Sequence, residues 1–307
     1  MLYTTLETLN DLLTNPVLLY SLATIVGLIV GSFLNVVILR LPRMMELAWR
    51  HDCNEFMRSL SPASVLNDNP SSEQSTVAPF NLAYPPSHCP NCQHRIRSWE
   101  NIPILSYLIL GGRCTACQCH ISLRYPLIEA STALLTVIVI WQFGITWQGV
   151  SALVLTWGLI ALAIIDFDTQ LLPDVVVLPL LWLGLLLSVF NIFVDSSTAI
   201  FGAVIGYLSL WFVFHLFRLL TGKQGMGYGD FKLFAVFGAW LGWSALPQIL
   251  LLSALPGAVV GIALIALKRQ QPQSPLPFGP FLAIAGWIAL LWGQDITTVY
   301  LSWSGLG

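Results

Sequence analysis

The sequence predicts an all-α polytopic membrane protein of about eight transmembrane helices, with a cytoplasmic insert carrying a tetracysteine zinc-binding element. Three observations predict it. Of 307 residues, 56% are hydrophobic and only 9% charged, where a soluble domain carries about a quarter charged. Apolar runs of roughly bilayer-spanning length recur along the chain. The cations then sort to one side of the helix count. Net charge is −2, which gives no bulk attraction for nucleic acid or for an acidic partner.

The apolar runs are 16–39, 126–143, 147–166, 175–194, 198–220, 232–252, 254–267 and 280–301. The first is not read as a cleaved signal peptide, because no basic segment precedes its core and cations follow it. Eight helices leave seven loops. Arg40, Arg43, Arg50, Arg58, Arg95, Arg97, Arg113 and Arg124 lie in or beside the first. Arg218, Lys223 and Lys232 flank the fifth, and Lys268 and Arg269 open the seventh. All 13 Lys and Arg are then on odd-numbered loops. The positive-inside rule places those loops in the cytoplasm and both termini outside. The chain divides into residues 1–39, a cytoplasmic insert 40–125 and a membrane-embedded part 126–307.

The insert contains a connector, SLSPASVLNDNPSSEQSTVAP, rich in Ser, Pro and Asn. It reads either as flexible chain or as an ordered surface loop. A compact segment follows, CPNCQHRIRSWENIPILSYLILGGRCTAC, residues 89–117, with the pattern C-x2-C-x21-C-x2-C. Two such knuckles supply four thiolates to a tetrahedral ion, usually zinc. The cytoplasm keeps thiols reduced, which favours metal over disulfides. The expected ligands are Cys89, Cys92, Cys114 and Cys117. Cys119 is an alternative to one of the second pair, and His88, His94 and His120 are neighbouring rivals. Cys53 reads as an ordinary small buried residue. A site closed by four thiolates has no open position, so its metal is structural.

Acids at the ends of membrane helices carry the chemistry. Residues 163–174, AIIDFDTQLLPD, hold Asp166, Asp168 and Asp174. GMGYGD, residues 225–230, ends on Asp230. Loops 3 and 5 share a face, so these acids can meet there. Two close carboxylates share a proton, and can then act as base toward water and acid toward a peptide carbonyl. The simpler readings are a helix cap for Asp174 and for Asp230, and a solvated side chain for Asp168. Asp166 ends a helix, where the dipole disfavours negative charge. Asp166 is therefore expected to start as the acid and Asp230 as the base. The glycines before Asp230 read as room for a substrate backbone and freedom at a bend. A phosphate cradle finds little support, because neither GxxxxGK[ST] nor GxGxxG is present.

GYGD contains the GxGD signature, and with IDFDTQLLPD and the tetracysteine segment the chain closely resembles the bacterial type IV prepilin leader peptidases. GSFLNVVILRLP (31–42), SLRYPLIE (122–129) and PFGPFLAIAG (277–286) extend the resemblance over nearly the whole chain. It implies an inner-membrane enzyme with its active site facing the cytoplasm and its termini in the periplasm. Such an enzyme removes the leader of type IV prepilins and type II secretion pseudopilins after a glycine. It then methylates the new N-terminal residue with S-adenosylmethionine. Carried over by motif, the catalytic dyad is Asp166 and Asp230, and Cys89, Cys92, Cys114 and Cys117 bind metal. No soluble Rossmann-type domain is present for S-adenosylmethionine. Glu129 and Arg124 are candidates for the methyl-transfer site, with a structural ion pair as the plainer reading. A presenilin-like or signal-peptide-peptidase-like GxGD protease is the nearest alternative, though its late Pro-Ala-Leu motif is absent. An ion or metal transporter would place the acids nearer the bilayer midplane.

Overall fold

The structure, a computed structural model, describes residues 15–60, 80–223, 225–267 and 277–304. Among them the chain is helical, with two isolated bridges in place of any sheet. The helices are α1 (Pro16–Leu60), α2 (Leu105–Ile109), α3 (Arg124–Phe143), α4 (Trp147–Thr169), α5 (Asp174–Val189), α6 (Ser196–Thr221), α7 (Tyr228–Leu241), α8 (Leu246–Ala266) and α9 (Gly279–Ser304). Six of the described helices are long and apolar enough to cross a membrane: α1, α3, α4, α6, α8 with the turn before it, and α9. Helices α5 and α7 have only 16 and 14 residues. Residues 61–79 of the connector, and Lys268 and Arg269, lie outside the described residues.

Two boundaries differ from the sequence reading. The apolar run 232–252 is not one helix: α7 stops at Leu241, where Gly242 takes φ of +80° and a short 3-10 turn follows. Positive φ is open to glycine without a Cβ penalty. Pro247 then sits in the first turn of α8, where its missing N–H is harmless. Hydropathy alone passes over this break because Gly242, Trp243 and Ala245 keep the run apolar. The first helix, in turn, continues beyond residue 39 to Leu60, and Cys53 is exposed on that extension rather than buried.

Helix α7 forms the centre of the bundle. Phe231, Leu233, Phe234, Val236, Phe237 and Trp240 are all buried, so it is apolar on every side, as a fully enclosed helix must be. Small residues let its neighbours reach it. A Cβ on Gly202 of α6 would lie 2.2 Å from the carbonyl oxygen of Gly238, and one on Gly286 of α9 would lie 2.0 Å from the Phe237 ring. Trp240 donates its indole N–H to the Leu180 carbonyl of α5 at 2.8 Å. Helix α3 meets α1 at Gly27 and Gly31, where added Cβ atoms would lie 2.6 and 2.8 Å from the Cα atoms of Ala133 and Glu129. This is the small-residue packing expected between membrane helices.

Candidate functional site

Asp166 lies in the last turn of α4, and Asp230 in the first turn of α7. Both are buried, at 5% and 6% exposure. They are near enough for the charge of Asp166 to act on Asp230. Among the described residues no Lys, Arg or His forms an ion pair with either. Two nearby buried carboxylates without a cation cannot both ionise cheaply, which is the condition for sharing one proton.

Each acid has one oxygen engaged by a backbone N–H. Gly227 donates to Asp230 Oδ2 at 3.2 Å, and Gly279 donates to Asp166 Oδ2 at 3.0 Å. The first contact is a reach-back to the helix start, so Asp230 caps α7 as well as facing Asp166. The second was not foreseen in the sequence. Gly279 begins α9, and a Cβ there would stand 2.6 Å from Asp166 Oδ2. Only glycine lets the α9 terminus approach so closely. That terminus brings partial positive charge to Asp166 and offsets the unfavourable dipole of α4. The dipole argument that separated the acid from the base therefore loses its asymmetry. The one signal was PFGPF itself, a glycine between bulky residues just before an apolar helix.

The glycines of GMGYGD serve packing more than bending. Of the four from Gly222 to Gly229, only Gly222 has positive φ, at +71° where α6 ends. A Cβ on Gly229 would lie 2.7 Å from Leu172 Cβ. That contact seats the start of α7 against the segment after α4, which is how residues 166 and 230 converge.

Two ion pairs flank the acids. Arg124, at the start of α3, holds Asp168 with its two terminal guanidinium nitrogens. Lys232 Nζ lies 2.7 Å from both oxygens of Asp174. Asp168 is thus paired rather than merely solvated. Asp174 is in the first turn of α5, with Pro173 in the cap position, so it is not the N-cap the sequence suggested. Lys232 is thus held by Asp174. Glu129 and Arg124 do not pair with each other. Glu129 is buried and accepts the Ile104 N–H at 2.8 Å.

In the insert, Cys89, Cys92, Cys114 and Cys117 place their sulfurs within 4.8 Å of one another, and the cluster can hold a metal ion. Zinc–thiolate bonds of about 2.3 Å in a tetrahedron set sulfurs about 3.8 Å apart. Cys89 to Cys117 is 3.8 Å and Cys92 to Cys114 is 3.9 Å, so the donor set fits such an ion. Each knuckle is built the same way. Cys89 N–H donates to the His94 carbonyl and Gln93 N–H to that of Cys89. Cys114 and Gln118 repeat this with Cys119 and Cys114. Gln93 and Gln118 both take positive φ, 59° and 57°. CPNCQHRI and CTACQCHI are therefore a structural duplicate, although no internal repeat was evident in the sequence. Cys119 occupies the place of His94. Its sulfur is 3.5 Å from Cys89, but its thiol is pushed up to about 12 by Cys117 and Cys89. Hydrogen bonds from the Cys119 backbone and thiol instead bring Cys117 down to about 6. His94 is turned to Glu100, at 3.5 Å, and His88 Nδ1 to the Pro86 carbonyl.

A family model described as Bacterial Peptidase A24 N-terminal domain matches residues 25–143, and one described as Type IV leader peptidase family matches residues 153–262. A Pseudomonas aeruginosa protein named prepilin leader peptidase/N-methyltransferase is 54% identical over 298 residues, covering 97% of this chain and 99% of its own. Proteins of the same name from Aeromonas hydrophila and Legionella pneumophila are 52% and 41% identical. They cover 94% and 96% of this chain, and 95% and 99% of their own lengths. No solved structure matches. The matches take in both the insert with its flanking helices and the helices that carry Asp166 and Asp230, and the chain belongs to the type IV leader peptidase family.

Proposed function

We propose that this protein removes the leader peptide of type IV prepilins and type II secretion pseudopilins, and then methylates the new N-terminal residue. The reading is carried by the buried, cation-free pair Asp166 and Asp230. In it, one carboxylate takes a proton from water and the water oxygen attacks the scissile carbonyl carbon. The other carboxyl, protonated, donates to the carbonyl oxygen. Collapse of the tetrahedral species passes a proton to the leaving nitrogen and restores the shared-proton pair. The N–H groups of Gly227 and Gly279 hold the two side chains in place throughout.

The pair sits at the cytoplasmic face of the inner membrane, with both termini periplasmic, as the clustering of cations on odd-numbered loops supports. Residues 40–125 act as the insert and residues 126–307 as the peptidase part. Zinc in the four-thiolate cluster is structural, folding a segment with little core of its own. S-adenosylmethionine supplies the methyl group. Arg124 and Glu129 are engaged with Asp168 and Ile104, which argues for structural roles and leaves the methyl-transfer residues unassigned. The GxGD alternatives lack an explanation for the tetracysteine cluster.

Co-expression with a prepilin tests this reading. The wild-type chain should yield mature pilin whose N-terminus carries the mass of one added methyl group. Asp166→Asn and Asp230→Asn should leave the precursor intact. Full processing by either variant would sink the dyad assignment.

A further inference from the structure

The insert carries an uncharged run, NIPILSYLILGG (residues 101–112), between Glu100 and Arg113. Apolar runs of this length are too short to span a bilayer but suit a re-entrant or interfacial segment. Its short helix α2 presents Leu105, Leu108 and Ile109 on one face. They are 51%, 68% and 71% exposed. Tyr107 faces the other way, toward the Ile121 carbonyl.

The depth of this segment is fixed by its anchor. The Ile104 N–H is bound by the Glu129 carboxylate. The backbone of Gly31 lies directly against Glu129 Cα. Gly31 and Ser32 belong to the stretch of α1 from Val17 to Leu39, which contains no charged residue. Ser32 is eight residues from Arg40, or about 12 Å along the helix. Arg40 itself grips the carbonyls of Asn81, Leu82 and Pro85. The chain therefore starts at the arginine level and descends to Ile104. Ile104 has φ of +58° and stands outside helix geometry. Irregular backbone at membrane depth must have its N–H groups satisfied by protein, and Glu129 does this.

We propose that residues 101–112 form a re-entrant element that dips below the cytoplasmic membrane surface. Glu129 anchors it, and Leu105, Leu108 and Ile109 lie against lipid acyl chains. Part of the insert is then membrane-embedded, and the metal cluster is held close to the headgroups.

The test places p-benzoylphenylalanine at Leu108 or at Ile109 in the full chain, in liposomes, and measures phospholipid adducts by mass spectrometry after illumination. Retained leader removal shows that each labelled protein is folded. The same label at Leu134, on the exposed side of α3, and at Met57, near the end of α1, gives the two reference levels. Adduct yields at 108 and 109 should approach the Leu134 level and exceed the Met57 level by about tenfold, as for acyl-chain contact. Glu129→Ala should lower the yield at 108, and Glu129→Gln, which keeps an acceptor, should preserve it. Yields at the Met57 level for both positions, or adducts with added prepilin in place of lipid, overturn the proposal. An unchanged yield in Glu129→Ala overturns the anchoring role.

Discussion

At the scale of single residues, the candidate dyad depends on two glycines as much as on its two acids. Gly229 allows the start of α7 to touch Leu172, and Gly279 allows the start of α9 to touch Asp166. A methyl group at position 279 would fall 2.6 Å from Asp166 Oδ2, so the carboxylate must turn away and lose its N–H donor. Gly279→Ala should lower the rate of leader removal by roughly tenfold or more, equivalent to about 1.4 kcal/mol of barrier. The chain should still fold, and a rate assay on purified protein checks this. Asp166 and Asp230 were legible in the sequence because acids at membrane-helix ends are rare. Gly279 was not, because its partner is 113 residues away and a lone glycine at a helix start has many ordinary uses.

At the scale of elements, the insert is a set of paired turns tied by one carboxylate. Glu100 accepts from the Arg97 N–H and the Thr115 hydroxyl and faces His94, so it joins the first knuckle to the second. The Arg97 N–H, then the Thr115 hydroxyl and His94, hold its pKa below the ordinary glutamate value. A group with a lowered folded pKa stabilises fully above its unfolded value, about 4.3 for glutamate. That stabilisation is lost as pH falls through the folded value. Glu100→Gln should therefore remove a stability contribution near neutral pH and flatten the acid limb of insert unfolding, followed by fluorescence or metal release. Cys89→Ser should reduce bound metal and destabilise the insert while sparing the dyad, and metal analysis checks the first point. Retained stoichiometric zinc would count against the cluster.

The central helix depends on similar detail. Trp240→Phe removes the donor to the Leu180 carbonyl and should destabilise the bundle by about 1 kcal/mol, measurable as a lowered unfolding temperature in detergent. The tetracysteine spacing announced the cluster in the sequence, but the matching hydrogen bonds of the two knuckles were hidden, since four of eight positions differ: Pro, Asn, His and Arg of the first stand against Thr, Ala, Cys and His of the second.

At the scale of the whole molecule, hydropathy recovered the helical membrane class because continuous apolar runs of about 20 residues fit spanning helices, where barrel strands would be about half as long and alternating. It misplaced the break between α7 and α8, because that break is made by backbone geometry at Gly242 rather than by polarity. The same limitation applies to residues 101–112, whose sequence is apolar but whose depth depends on a contact with Glu129. Placement of all cations on odd-numbered loops predicts that reagents confined to the outside modify a label near the start of α1 and not one in the insert. Equal labelling from both sides would reject that orientation.

The most direct test of the account is leader removal by purified wild-type, Asp166→Asn and Asp230→Asn proteins, each shown to be folded and to bind metal equally. Only the wild type should cleave, since neither carboxylate can supply both base and acid. Cleavage at wild-type rate by either single variant would contradict this.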